Sequence, residues 1–194
     1  RSIIVEGREI AVGGTALVNA SGGTGGGSIQ IGGGFQGRDA SIRNAERLVI
    51  DDGAVLRADA LASGAGGNVI LWSDGDTSFA SLSARGVSQG GFAEISGKST
   101  LEVDGDVDLT ASAGTAGTLL LDPTNITISA TGASGLGGST ISNVWLSQQL
   151  DAGNNVVIST NFGGADAGHI TVGRTDANAN AQADRIQWYQ DSAT

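Results

Sequence analysis

A small turn followed by an alternating strand recurs along this 194-residue chain, and a repeat of that kind constrains the fold more than any other feature. The turn is usually Gly-Gly: Gly26-Gly27-Ser28-Ile29-Gln30-Ile31, Gly66-Gly67-Asn68-Val69-Ile70-Leu71, Gly90-Gly91-Phe92-Ala93-Glu94-Ile95, Ala116-Gly117-Thr118-Leu119-Leu120-Leu121 and, more loosely, Ala167-Gly168-His169-Ile170-Thr171-Val172. The steps between these segments are about 40, 24, 26 and 51 residues. A second motif, an apolar residue, a spacer and alanine, recurs at Val18-Asn19-Ala20, Leu56-Arg57-Ala58, Leu82-Ser83-Ala84 and Leu109-Thr110-Ala111. The shorter steps set a unit of roughly 20 to 27 residues, and the longer ones read as two units with a degenerate copy between them.

Within a unit the apolar residues alternate with period two, as in Leu48 and Ile50, Leu101 and Val103, or Ile126 and Ile128, so the unit is built of short strands. Three such strands per turn, joined by glycine corners, predict an all-β fold: a parallel β-helix in which each strand pairs with its equivalent one turn on. Right-handedness follows from the strong bias of parallel crossover connections. Seven or eight rungs at about 4.8 Å each would make a rod roughly 35 Å long. Ser142 to Gly153 breaks the pattern: a capping serine, good helix formers and a glycine stop predict a short helix that covers a rung with Val144, Leu146 and Leu150. The expected organisation is one segment over 1–194, with rungs over 1–141, the helix over 142–153 and further, truncated rungs over 154–194. The chain starts at Arg1 without an apolar leader and reads as a piece of something longer.

Composition narrows the function. The chain holds 33 glycines and one proline, its apolar fraction is 39%, and no apolar run approaches the length of a membrane span. The net charge is −10, and the ten basic residues are scattered, which disfavours a nucleic-acid partner. With no cysteine and a single histidine, His169, thiolate nucleophiles, Cys-ligated zinc and two-imidazole sites are excluded.

Gly53-Ala54-Val55-Leu56-Arg57-Ala58-Asp59-Ala60, Gly67-Asn68-Val69-Ile70-Leu71-Trp72-Ser73-Asp74, Ala84-Arg85-Gly86, Glu94-Ile95-Ser96-Gly97-Lys98 and Gly117-Thr118-Leu119-Leu120-Leu121-Asp122-Pro123-Thr124-Asn125-Ile126-Thr127-Ile128, in that order, resemble the shaft of filamentous-haemagglutinin-like exoproteins. These are the large adhesins of bacterial two-partner secretion. The resemblance implies a right-handed β-helix, export of the parent protein through a dedicated outer-membrane transporter, a secreted location at the bacterial surface, and attachment to cells, matrix or polysaccharide. The family's Asn-Pro-Asn secretion motifs do not occur here; the sole proline, Pro123, follows Asp122. The expected function is therefore a non-catalytic structural and adhesive segment with no cofactor, and the alternatives are a carbohydrate- or glycoprotein-binding module and, third, a polysaccharide lyase or hydrolase. Exposed strand edges at the ends of such a fragment predict end-to-end self-association.

Few residues suggest chemistry. Gly22 to Gly27 lacks the Lys and Ser or Thr of a phosphate loop and precedes a strand, so it reads as a corner. Glu102, Asp104, Asp106 and Asp108 read as one acidic strand face, on which carboxylates two apart diverge by nearly 7 Å; a bend at Gly105 would be needed to gather calcium over Asp104–Asp108. Asp51-Asp52, Asp74 and Asp76 are the candidate acid and base pairs for glycosidic cleavage, though sequence does not show convergence between rungs. A lone His169 in a turn is no site. Trp72 has opposite parity to Val69 and Leu71, so it is expected to project outward, where an indole packs on a loop or contacts a glycan or partner. Trp145 and Trp188 are the other tryptophans, and Tyr189 is the one tyrosine.

Overall fold

The alternating apolar residues fold as short parallel strands, each hydrogen-bonded to its equivalent one coil on, and the whole is a parallel β-helix. The computed structural model describes residues 1–130, 139–161, 168–173 and 186. The first coil is β1 (Ser2–Val5), β2 (Glu9–Val12) and β3 (Leu17–Asn19). The second is β4 (Ser28–Ile31), β5 (Arg47–Ile50) and β6 (Val55–Arg57). β7 (Asn68–Ser73), β8 (Asp76–Phe79) and β9 (Leu82–Ser83) form the third, and β10 (Phe92–Gly97), β11 (Thr100–Val103) and β12 (Val107–Asp108) the fourth. The fifth opens with β13 (Thr118–Leu121) and β14 (Ile126–Ser129). The chain then departs through β15 (Ser139–Ser142) and α1 (Asn143–Asp151) before β16 (Asn155–Ile158) and β17 (Ile170–Val172).

Stacking sorts the strands into ladders. The first sheet runs β1-β4-β7-β10-β13-β16, the second β2-β5-β8-β11, the third β3-β6-β9-β12, and a smaller one β15-β14-β17. Register places like on like: Ile29, Val69, Ala93 and Leu119 stack in one inward row, and Ile31, Leu71, Ile95 and Leu121 in the next. All eight are fully buried, and Leu48, Leu101, Leu56 and Leu82 close the interior from the other two sheets. Thr77 occupies an inward position without an orphaned hydroxyl, because its Oγ1 donates to Ser96 O at 2.8 Å.

The two sequence motifs meet at one corner. Gly27, Gly67, Gly91 and Gly117 each donate a backbone N–H across that corner, to Ala20 O, Ala58 O, Ala84 O and Leu109 O at 2.7–2.9 Å. The glycines also stack axially: a Cβ on Gly67, Gly91 or Gly117 would be driven into the carbonyl oxygen of the glycine one coil below. Here the residue is required by close backbone approach between coils, not by a positive φ.

The repeat count differs from the sequence reading. The 40-residue step from Ser28 to Asn68 is a single coil carrying an insert over 32–46, not two coils with a degenerate copy. The strand that follows β13 in the first sheet is β16, 37 residues on, whereas Ile170–Val172 pairs with β14. The first sheet therefore has six stacked strands among the described residues, short of the seven or eight rungs expected.

The helix forms where expected. Ser142 Oγ accepts from the Val144 and Trp145 N–H groups at 3.2 and 3.4 Å, and Gly153 leaves the helix at φ +89°. Its buried face is Asn143, Trp145, Leu146 and Gln149, however, and Val144 is 55% exposed, because residues 145, 146 and 149 share the side that meets the coil. There Trp145 Nε1 donates to Gly105 O at 2.8 Å. Asn154, just past the helix, puts its amide where a next strand would lie: Leu109 N–H donates to Asn154 Oδ1 at 3.1 Å, and Asn154 Nδ2 donates to Val107 O at 2.7 Å. One side chain thus closes the ladder of the third sheet.

Candidate functional site

The insert over 32–46 makes the outer face of the first sheet unlike the other faces. Gly32 (φ +77°) and Gly33 (φ +155°) turn the chain off the end of β4, and Ala45 N–H donates to Gly32 O at 2.8 Å to close the base of the insert. Between these points the chain runs as a strap across later coils. Gln36 N–H donates to Glu94 Oε1 and Oε2 at 3.1 and 3.0 Å in the fourth coil, and Gln36 Nε2 donates to Asp122 Oδ2 at 2.7 Å in the fifth. Arg38 Nη2 reaches Asn161 O at 3.4 Å, beyond β16. Gln36 holds φ +53°, a left-handed value that a non-glycine residue adopts at a cost, sustained here by those bonds to two carboxyls.

Trp72 is enclosed by this strap. Its parity does direct it out of the coil, as the alternation implies, but the indole is fully buried: Gly33 lies against its Cγ and Cδ1, and Gly37 against its Cε2 and Nε1, each so close that a Cβ would collide with the ring. Trp72 Nε1 donates to Asp74 Oδ1 at 3.3 Å, and Lys98 Nζ stands 5.9 Å from the ring centroid while pairing with Asp74 Oδ1 at 2.7 Å. Of the two expectations for the outward indole, packing on a loop holds and contact with a glycan or partner is corrected, because no surface of Trp72 is open. Burial works to raise the Asp74 carboxyl, yet the bonds from Lys98 and Trp72, the lysine's charge and Asn44 together hold it below the usual carboxylate range.

Under the strap, Glu94 and Asp122 are both fully buried. Burial pushes the Glu94 carboxyl up to about 7, against the Gln36 N–H and the Ser96 hydroxyl that favour its charge; Asp122 adds to the rise and Arg38 opposes it. Asp122 Oδ1 has no hydrogen-bond partner among the described residues. Roofed in this way, the two carboxyls are sealed from any substrate, and the arrangement secures the strap to the sheet. A third buried acid is set into the corner between the third and first sheets: Asp59 accepts from Arg85 N–H and Nη2 at 2.8 and 2.9 Å and from Ser83 Oγ at 3.1 Å. Burial opposes ionisation of Asp59, but those bonds and the Arg85 charge prevail and lower it.

The residues singled out in the sequence do not converge. Glu102 lies on β11 and Asp108 on β12, on different sheets, with Asp104 and Asp106 at the corner between them, so they are not one acidic face. Asp108 Oδ1 accepts from Thr110, and its Oδ2 stands 3.7 Å from Arg85. Among the described residues no three His, Asp or Glu side chains come together as a cation would require. Asp51 and Asp52 are exposed in the turn after β5, and Asp76 Oδ1 accepts from Thr100 at 2.7 Å. His169 is exposed, and Gly22–Gly27 is a corner leading into β4. Trp188 and Tyr189 lie outside the described residues.

The outer face of the second sheet carries an open groove of about 210 Å³ lined by Arg47, Asp76, Ser78, Thr100 and Glu102. The strap instead leaves two rings at the surface. Phe35 is 50% exposed, and its centroid lies 5.9 Å from that of half-buried Phe92 at an interplanar angle of 59°. Neither phenylalanine stands out in the sequence; the signal that points to them is the anomalous 40-residue step, which marks where a coil has room for an insert.

No protein-family model matches the chain, and no curated protein matches its sequence. Among the described residues no helix is long and apolar enough to cross a membrane.

Proposed function

We propose that this chain is a structural and adhesive segment of a secreted bacterial surface protein, a rod that holds binding surfaces away from the envelope and catalyses no reaction itself. The observation that carries this reading is the unbroken first sheet: six parallel strands in register over an aliphatic interior, an architecture that propagates one coil at a time and resists bending. The resemblance of Gly53–Ala60, Gly67–Asp74 and Gly117–Ile128 to filamentous-haemagglutinin-like shafts supports the same reading. On this proposal the parent protein leaves the cell through an outer-membrane transporter, and its partners are receptors on cells, matrix or polysaccharide.

Beads coated with the purified chain should adhere to cultured cells, to matrix-coated wells or to immobilised polysaccharide more strongly than albumin-coated beads. Equal retention on all three surfaces would remove the adhesive part of the proposal. The alternative, a carbohydrate-binding module, is favoured by one observation, the exposed Phe35 beside Phe92.

A further inference from the structure

The outer row of the first sheet that contains Phe92 is uncharged over its whole length. Register sets Ser2, Ser28, Asn68, Phe92, Thr118 and Asn155 side by side, one per coil. On a chain of net charge −10 such a strip is conspicuous. Phe35 of the strap lies against Phe92, so the row offers an aromatic step flanked on both neighbouring strands by polar groups. The side chains of Asn68 and Thr118 make no hydrogen bond with the other described residues, and Asn68 is exposed. Asn155 spends its Nδ2 on Ala116 O and Gly117 O at 3.2 and 3.1 Å, which fixes the amide while its Oδ1 accepts from no described residue.

We infer that this strip binds an uncharged oligosaccharide, lying along the coil axis, with a pyranose stacked on Phe35, which Phe92 supports, and hydroxyls paired with Asn68, Thr118 and Asn155. Three physical points select this occupant. The apolar C–H face of a pyranose matches one aromatic face, and the 59° tilt between the rings offers Phe35 for stacking while Phe92 supports it. Amide and hydroxyl groups recur at the strand spacing of about 4.8 Å, comparable to the length of one sugar unit, so successive sugars of a chain would meet equivalent partners. Charge decides the class of glycan: an acidic polysaccharide would approach a strongly negative chain at a strip with no cation in its row, whereas a neutral one is not repelled. A protein partner fits less well, since two rings form a much smaller apolar patch than the several hundred Å² typical of such surfaces. The inference rests on the carbohydrate-binding alternative, which it deepens by naming the site and the class of glycan, and it does not require the chain to be exported.

The test is an array of neutral and acidic oligosaccharides probed with the full chain, followed by calorimetric titration of the best neutral ligand at two and six sugars. Expected are binding to a neutral glycan, at least tenfold tighter for six sugars than for two, and at least tenfold weakening by Phe35→Ala. A paired Asn68→Ala and Thr118→Ala change should weaken binding severalfold. Leu61→Ala, which trims an exposed side chain elsewhere, should leave affinity unchanged, and an unaltered melting temperature in Phe35→Ala should exclude loss of the strap. Silence on every neutral glycan, binding of acidic glycans only, or full affinity in Phe35→Ala would each overturn the inference. Full glycan affinity in Phe35→Ala with bead adhesion retained would sink the strip and spare the adhesive proposal; glycan binding lost in Phe35→Ala without any bead adhesion would do the reverse.

Discussion

At single residues, the tightest constraint is the space between coils, and it separates glycines that look alike in the sequence. A methyl on Gly91 would be forced into Gly67 O and against Ala84, both part of the stacked corner, whereas a methyl on Gly23 meets nothing within 4 Å. Gly91→Ala should therefore lower stability by about 3 kcal/mol and Gly23→Ala by less than about 0.5 kcal/mol, as urea unfolding would measure. Glu94 sets the pH dependence above about pH 5. Its carboxyl is raised from the ordinary 4.5 to about 7, so the folded state binds the proton more tightly than the unfolded one. Its favourable contribution is full below pH 4.5 and is lost as pH rises through 7, by about 3 kcal/mol at most. The melting temperature should fall between pH 5 and pH 8, and Glu94→Gln should flatten that slope; an equally steep decline in the variant would reject this assignment. Repetition made the stacked glycines legible in the sequence. Glu94 was not, because alternation marks it as outward-facing and says nothing of a strap arriving from the second coil.

Among the elements, the strap and the helix solve opposite problems. The strap ties coils together from outside, since one residue, Gln36, bonds to carboxyls of two successive coils. The helix ends a sheet: α1 and Asn154 occupy the place where a further strand would pair with β12. Removing the Asn154 amide would leave Leu109 N–H and Val107 O buried without partners, so Asn154→Ala should cost about 2–4 kcal/mol in unfolding free energy. Faster amide exchange at Leu109, with Leu56 unaffected, would locate the damage. The strands and helix were readable because period two, a serine cap and a glycine stop are local signals. Long-range placement was not. Alternation through Leu101, Val103, Val107 and Leu109 hides the corner at Asp104–Asp106 that splits β11 from β12, and Trp72 has the same parity whether or not glycines cover it.

Across the whole 194-residue chain taken by itself, all three strands of the first coil have ladder partners on only one side, as β16 does at the other end of the first sheet. β1, β2 and β3 each pair with a single neighbour, and Ile3, Val5, Val12 and Val18, which face the interior, are only partly buried there. Open strand edges over half-covered aliphatic side chains are a template for another strand. A net charge of −10 opposes the approach of a second copy, and salt screens that repulsion over roughly 10 Å at 0.1 M. Two forces of different range thus compete, and ionic strength sets the balance. Sedimentation velocity from micromolar to millimolar protein should show mass rising with concentration, and more steeply at high salt. Val5→Lys, which sets a charge at the open mouth of the coil, should abolish the rise while circular dichroism stays that of a β-protein. A chain that remains monomeric at high salt over the whole range would show that its first coil is closed well enough by the cover it already has.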